Sequence, residues 1–378
     1  MKKFLAFSLI LALSLTLLFA GTYKIGFFAP LTGWAAADGS SALHGAELAI
    51  QYINDSGGVN GNKLKLIYYD DAMNTAQAVS IAYKLVQQDH VLIAISGSYS
   101  STTRAAAGIY QRLGVPMISA YAVHPQITKT GNLIFRVGTL ATVEGRAGAY
   151  LAVKILGAKR IAVLTIDNDF GTSLTKGFIE EAKKLGAQIV YSTKYPLGET
   201  EFRTILNTLK QSKPDVIYAT AYYAEAAHIV FQAKQLGIYV PIIGQEGYDS
   251  PKFIQLSEGG SSNDTLITTD LNRDSSKSIV QWFLKTYKEK YGIAADMVSA
   301  SAFDAVQVAA AGLKSGTTPN KIREGILSIK SLKTSVTDIE HYTKSREVFR
   351  PITVQIVLAG KFHFFREITD PDVLNPER

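Results

Sequence analysis

The residues that could do chemistry gather in short loops that follow apolar runs. Ser96-Gly97-Ser98-Tyr99-Ser100-Ser101-Thr102-Thr103 follows one such run and opens a helical pattern. Hydroxyls and unpaired backbone N–H groups at a helix N-terminus form an anion site, favoured by the helix dipole. Ser100 or Ser101 can cap that helix and still leave N–H groups free for a ligand. Glu246, in Gly244-Gln245-Glu246-Gly247, stands just after another apolar run, where its carboxylate can meet a cation. A solvated loop glutamate fits the same spacing equally well. Trp34, Tyr99, Tyr121, Phe170, Tyr222, Tyr223 and Tyr248 stand at comparable loop positions. So many aromatics there suggest a wall for an apolar or planar ligand. An anion site, a cation site and an aromatic wall are the parts of a binding pocket.

Catalysis finds no comparable set. The six histidines have no H-E-x-x-H spacing, and with no cysteine in the chain there is no disulfide and no thiolate metal site. Gly57-Gly58-Val59-Asn60-Gly61 lacks the G-K-[ST] ending of a phosphate loop and leads into a strand, so it reads as a turn. No G-x-G-x-x-G follows the first strand, and the serine-rich loop lacks the G-x-S-x-G elbow. Asp70-Asp71 and Asp167/Asp169 lack calcium-loop spacing and read as solvated strand-end carboxylates. No enzyme, no cofactor and no metal is expected.

The elements that must position these loops alternate regularly. Strands are expected over Tyr23–Ala29, Lys63–Tyr69, Val91–Ile95 and Val115–Ser119, with helices over Ser41–Ser56, Thr75–Gln88 and Thr102–Leu113 between them. The pattern restarts with a helix at Gly145–Ile155 and strands at Arg160–Ile166, Gln188–Thr193, Val216–Thr220 and Val240–Ile243. Helices at Thr172–Leu185, Glu201–Gln211 and Ala224–Leu236 separate those strands. A strand at Thr265–Thr269, helices at Lys277–Tyr291, Val298–Leu313 and Pro319–Ile329, and strands at Ile352–Leu358 and Lys361–Phe365 complete the chain. Repeated β-α units demand a largely parallel sheet with helices on both faces. Two consecutive doubly wound α/β lobes are expected, with ligands beyond the carboxyl ends of the strands.

Lys2 and Lys3 precede an uncharged, Leu-rich run from Phe4 to Ala20, the pattern of a secretory signal peptide (residues 1–20) cut near Ala20. The run is close to bilayer-spanning length, so a retained anchor is the alternative. Without cysteine the protein is not a lipoprotein, and a periplasmic location is expected. A net charge of +7, with scattered Lys and Arg, points to a solvated basic surface and not to a nucleic-acid partner. A monomer is expected.

Further motifs are Ala29-Pro30-Leu31-Thr32-Gly33, His44-Gly45-Ala46-Glu47-Leu48-Ala49 and Ile53-Asn54. Gly114-Val115-Pro116-Met117-Ile118-Ser119, Asp169-Phe170-Gly171 and Lys213-Pro214-Asp215 follow in order. With the glycine turn, Asp70-Asp71 and the Glu246 loop, they make the chain resemble the leucine/isoleucine/valine-binding family of periplasmic binding proteins. The resemblance implies the type I fold: two lobes joined by a three-crossover hinge, with crossings near Gly138–Thr142, Thr268–Leu271 and Arg350–Ile352. It implies an N-terminal lobe of residues 21–140 and 270–350 and a C-terminal lobe of residues 141–269 and 351–378. It further implies an amino-acid ligand delivered to the membrane permease of an ABC importer.

Residue by residue, the resemblance makes Ser100 the carboxylate-binding serine, with the backbone at Tyr121 assisting. Tyr222 and Glu246 would hold the α-ammonium, and Phe170 would line the side-chain subsite. Two positions depart from the family pattern. Val123 stands where a carboxylate-binding threonine is common, and Asp38 where an aromatic often lines the side-chain pocket. Asp38 facing the cleft would admit a polar or cationic ligand side chain. A sensor serving a signalling receptor, or a carrier of an amide, urea or aromatic acid, is the alternative use of the same fold.

Overall fold

A computed structural model describes residues 21–378; the expected signal peptide lies outside the described residues. The first sheet holds β1 (Thr22–Ala29), β2 (Lys63–Asp70), β3 (Ile93–Ser96), β4 (Met117–Ser119) and β5 (Ile134–Arg136). All are parallel, in the order β2-β1-β3-β4-β5. Residues of β1 alternate between two apolar layers. Ile25 and Phe27 face one layer, with Ala42, Ala46 and Ala49 of α1 (Ala36–Asp55). Phe28 faces the other, with α2 (Thr75–Gln87) and α3 (Ser100–Leu113). The Gly57-Gly58 segment is the turn expected of it: both glycines have positive φ, 96° and 76°, and Val59 pairs with Asn62 before β2 begins.

The second sheet contains β6 (Arg160–Ile166), β7 (Gln188–Tyr195), β8 (Val216–Thr220), β9 (Ile242–Gly244) and β10 (Leu266–Thr269) in parallel. In chain order the next helices are α4 (Gln126–Lys129) of the first lobe, then α5 (Ala141–Tyr150), α6 (Asp169–Lys184), α7 (Arg203–Gln211), α8 (Tyr223–Gln235) and α9 (Pro251–Leu256) around the second sheet. Of these α4 belongs to the connection between β4 and β5, and α5 runs on into a π-helical turn at Leu151–Ile155. The chain therefore leaves the first sheet after β5 and enters the second through residues 137–140.

After β10 the chain goes back. α10 (Ser278–Tyr291), α11 (Met297–Ser315) and α12 (Pro319–Leu327) form a group in which α11 packs against α1. That crossing is tight. A Cβ on Gly45 would lie 2.0 Å from the Ser299 carbonyl oxygen, so only glycine lets the helices meet. A small hairpin, β11 (His341–Tyr342) and β12 (Val348–Phe349), precedes the return to the second sheet.

There, β13 (Ile352–Leu358) and β14 (Lys361–Ile368) add an antiparallel edge, in the order β14-β13-β10-β9-β8-β6-β7. Their two-residue turn, Ala359-Gly360, has positive φ at both positions (48° and 70°), as tight hairpins of this kind require. A final turn, α13 (Pro371–Leu374), docks on α5.

Several helices begin earlier than their apolar periodicity suggests. α1 starts at Ala36, not Ser41; α3 at Ser100, not Thr102; α5 at Ala141, not Gly145; α6 at Asp169, not Thr172. Each first turn mixes polar or small residues with at most one large apolar residue, too few to show the 3.6-residue pattern. Those first turns carry Asp38, Ser100, Glu144 and Phe170.

The strand-end carboxylates differ from expectation at one position. Asp71 is fully buried and accepts a hydrogen bond from the Met73 N–H at 2.9 Å. It sits under the turn after β2 and is not solvated.

Candidate functional site

A narrow cavity lies between the lobes, beyond the carboxyl ends of the strands. From the first lobe Asp38, Tyr99, Ser100, Tyr121 and Ala122 reach it, with Met297 and Val298 from the start of α11. From the second come Phe170, Tyr222 and the segment holding Glu246, Gly247, Asp249 and Ser250.

The hydroxyl-rich loop after β3 satisfies itself almost completely. Ser96 pairs with Thr103 at 2.6 Å and Ser98 with Thr102 at 2.6 Å. Tyr99 is the N-cap residue of α3 and makes no side-chain cap, so Ser100 is the first residue inside the helix and not its cap. Its hydroxyl oxygen is buried and has no partner among the described residues. The first N–H groups of α3 have no intrahelical acceptor by the geometry of any α-helix. An orphan hydroxyl and free N–H groups therefore share one helix terminus.

Glu246 opposes this terminus from the second lobe. It opens a single 3₁₀ turn (Glu246–Tyr248) after β9, and its N–H donates to Glu144 Oε1 at 2.9 Å. Its Oε2 is buried without a partner among the described residues. Burial pushes the Glu246 carboxyl well above the usual range, and the charges of Glu144 and Asp270 push further. Glu144 is itself raised to about 8 by burial and by Asp270, although Thr268 Oγ1 donates to it at 2.9 Å. The cavity's second-lobe wall is thus lined and backed by more carboxylates than cations.

Asp38 faces the cavity. Tyr99 donates its hydroxyl to Asp38 Oδ2 at 2.5 Å, and Oδ1 has no partner among the described residues. Burial, then the charges of Asp296 and Asp249, raises the Asp38 carboxyl to about 7. Asp249 is bound to Arg273 and accepts from Thr269 Oγ1 at 2.6 Å.

Aromatic rings join the lobes. Tyr222 stacks on Tyr99 across the seam, centroids 4.5 Å apart, and on Phe170 within its own lobe at 4.8 Å. Tyr121 meets Tyr99 edge-on at 5.9 Å and donates its hydroxyl to the Gly97 carbonyl at 2.7 Å.

Two of the nine candidate residues do not line the cavity. Trp34 stays 48 % exposed, covering Tyr99 and Tyr222 from outside at 5.4 and 5.7 Å. Val123 is buried away from the cavity and accepts from the Ala141 N–H, while its neighbour Ala122 takes the lining place. Backbone direction after β4 decides this, and residue type does not reveal it. Two other aromatics also leave the wall. Tyr248 packs fully buried on Phe253, and Tyr223 donates its hydroxyl to the Trp34 carbonyl at 3.0 Å. Arg104 and Asp169 close the same seam with a 2.8 Å ion pair.

Ala122, Gly247, Asp249, Ser250, Met297 and Val298 line the cavity without having been singled out in the sequence. Gly247 carried a signal in hindsight, because a Cβ there would meet the Ala221 carbonyl oxygen at 2.3 Å. Met297 and Val298 carried none, lying far along the chain in a helix whose other residues are mostly core.

Comparison with known proteins decides the class. The profile of the family described as periplasmic binding protein matches residues 22–360. The chain belongs to that family. It is a solute-binding protein of the ABC-transporter type, in a family of binders and not of enzymes. This periplasmic binding protein is 33 % identical over 274 residues to the Leu/Ile/Val-binding protein of Citrobacter freundii, covering 72 % of the chain and 74 % of the relative. A leucine-, isoleucine-, valine-, threonine- and alanine-binding protein of Pseudomonas aeruginosa is 32 % identical over 314 residues, 81 % of this chain and 82 % of that one. In structure it is similar to a leucine-binding protein of Thermotoga maritima (TM-score 0.84, 28 % identity, 93 % of this chain and 99 % of that one). It is equally similar to a branched-chain amino acid binding protein of Streptococcus pneumoniae in complex with isoleucine (TM-score 0.84, 26 % identity, 91 % and 99 % covered).

Proposed function

We propose that this periplasmic binding protein captures a zwitterionic α-amino acid between its lobes and delivers it to the permease of an ABC importer. One observation carries the reading. Ser100 and Glu246 each bury an unpartnered oxygen in a single cavity, from opposite lobes. The ligand carboxylate docks on the N–H groups and hydroxyl at the start of α3. Closure then brings Glu246 and the Tyr222 hydroxyl onto the α-ammonium. The relatives named above that bind amino acids support this assignment.

The moving bodies are residues 21–140 with 270–350, and residues 141–269 with 351–378, turning about the three chain passages between the sheets. A few residues changing φ/ψ there suffice for hinge closure. The closed form is favoured because the ligand touches both lobes only in it. The Tyr99–Tyr222 stack and the Arg104–Asp169 pair span the same seam and add to closure. Secretion with the leader cut near Ala20 places the protein where such capture is useful.

A second reading has its own support: the Tyr99–Tyr222–Phe170 stack suits a planar aromatic acid. A thermal-shift screen of ligand-stripped protein against amino acids and aromatic acids separates the two. A true ligand at 100 times its dissociation constant adds roughly 2.7 kcal/mol of stability. A shift with aromatic acids and none with any α-amino acid would overturn the first reading. Pull-down of the membrane partner distinguishes a permease from a signalling receptor.

A further inference from the structure

We infer that the side-chain end of the cavity is built for a positive charge, so that the preferred ligand is an α-amino acid whose side chain ends in a cation. The inference rests on the amino-acid reading above and goes one step further, to the ligand class.

Two carboxylates line this end, Asp38 and Asp249, and Asp296 acts on Asp38 from outside the lining. Asp249 is occupied by Arg273 and Thr269. Asp296 caps α11, accepting from the Ser299 N–H at 2.8 Å and from Ser41 Oγ at 2.6 Å. Asp38 differs from both. It is 5 % exposed and lines the cavity, its Oδ2 is taken by Tyr99, and its Oδ1 is buried without a partner among the described residues.

Charge matching then selects the ligand. A zwitterion with an apolar side chain uses the α3 terminus and Glu246, and seals Asp38 Oδ1 against carbon. Burying a carboxylate oxygen without a donor is costly. A side-chain ammonium or guanidinium supplies the donor and the opposite charge together. The rings of Tyr99, Tyr121 and Tyr222 border the same space, and the faces of such rings attract cations. The charged and hydrogen-bonding groups acting on Asp38 are Asp296, Asp249 and the Tyr99 phenol, and no cation pairs with it among the described residues. At pH 8 the carboxyl, raised to about 7 by burial and by Asp296 and Asp249, is mostly ionised. A bound cation favours that form further.

Lysine and norleucine make a matched pair, with the same four-carbon chain with and without the terminal ammonium. Both are titrated by calorimetry at pH 8 into full-length mature protein freed of ligand by unfolding and refolding. Lysine is expected to bind at least ~10-fold more tightly, the scale of one buried charge-assisted hydrogen bond. Asp38→Asn keeps the size of the side chain and an acceptor for Tyr99, and should bring the two ligands within about threefold of each other.

Norleucine or leucine binding as tightly as lysine to the unaltered protein would overturn the inference while leaving the amino-acid reading standing. A lysine preference that persists in Asp38→Asn would also overturn it. If neither lysine nor arginine binds a protein that melts cooperatively while another α-amino acid does, the inference fails and the amino-acid reading stands; if no α-amino acid binds, both fail. Glutamine, which carries a neutral donor, sorts charge from hydrogen bonding: equal affinity for lysine and glutamine would refute the requirement for a cation.

Discussion

Glu246→Gln is the most informative perturbation of the proposed site. The change keeps shape and removes only the charge. Glu246 is 5 % exposed, one of its oxygens is unpartnered, and its neighbours Glu144 and Asp270 are acids. One charge-assisted hydrogen bond to an α-ammonium contributes about 1.5–3 kcal/mol. Affinity for an α-amino acid should therefore fall about 10- to 150-fold, since each 1.4 kcal/mol is tenfold.

Stability without ligand should move the other way. Burial and the neighbouring acids raise the folded-state affinity of Glu246 for its proton. The unfolded chain releases that proton at ordinary glutamate pH, so the folded form loses stability as pH climbs from that range through the raised folded value. Gln at 246 removes this loss, and the ligand-free variant should melt at or above the parent temperature at pH 8. Calorimetric titration and thermal melts at pH 5 and pH 8 read both effects. Undiminished affinity in a folded variant would refute the ammonium assignment. An unchanged pH slope of the ligand-free melt would refute the electrostatic account of Glu246.

Ser100→Ala removes a buried hydroxyl that has no partner among the described residues; affinity should drop about tenfold by titration, with the ligand-free melting temperature unchanged. Because the α-ammonium requires ionised Glu246, whose carboxyl is held above the usual range, affinity should rise from pH 5.5 to pH 8. Binding should then release protons, seen as heats that vary with buffer ionisation enthalpy; buffer-independent heats would contradict this. Arg136 pairs with Glu347 at 2.7 Å in full burial and also donates to the Ala122 and His124 carbonyls. Arg136→Met should cost about 3–5 kcal/mol in chemical denaturation, because Glu347 is left charged and buried. It should also loosen the Ala122 segment of the cavity.

The same sequence was legible to very different depths. Alternating apolar runs and glycine stops were enough to establish two α/β lobes, because strand and helix periods are local properties of the chain. The Ser100 loop and Glu246 could be nominated because ligand-facing groups in such folds follow strand ends, and strand ends can be read locally. Local pattern failed at the helix starts. The first turns carrying Asp38, Glu144 and Phe170 hold too few apolar residues to show a stripe, and the short elements at 134–136, 246–248 and 251–256 are too brief to show a period.

Only the tertiary structure decided which oxygens are orphaned. Asp38, Asp249 and Asp296 are alike in type, yet Arg273 and the α11 cap satisfy two of them and leave the third open. The Asp296 cap is local, but Arg273 lies 24 residues from Asp249 and Tyr99 lies 61 from Asp38, so no short window of sequence contains those pairings. Val123 and Ala122 are adjacent, and backbone direction after β4 sends one to the core and the other to the cavity. Residue type and spacing set which groups were available for a site. Long-range packing, through burial and partner geometry, decided which of them remain free to bind.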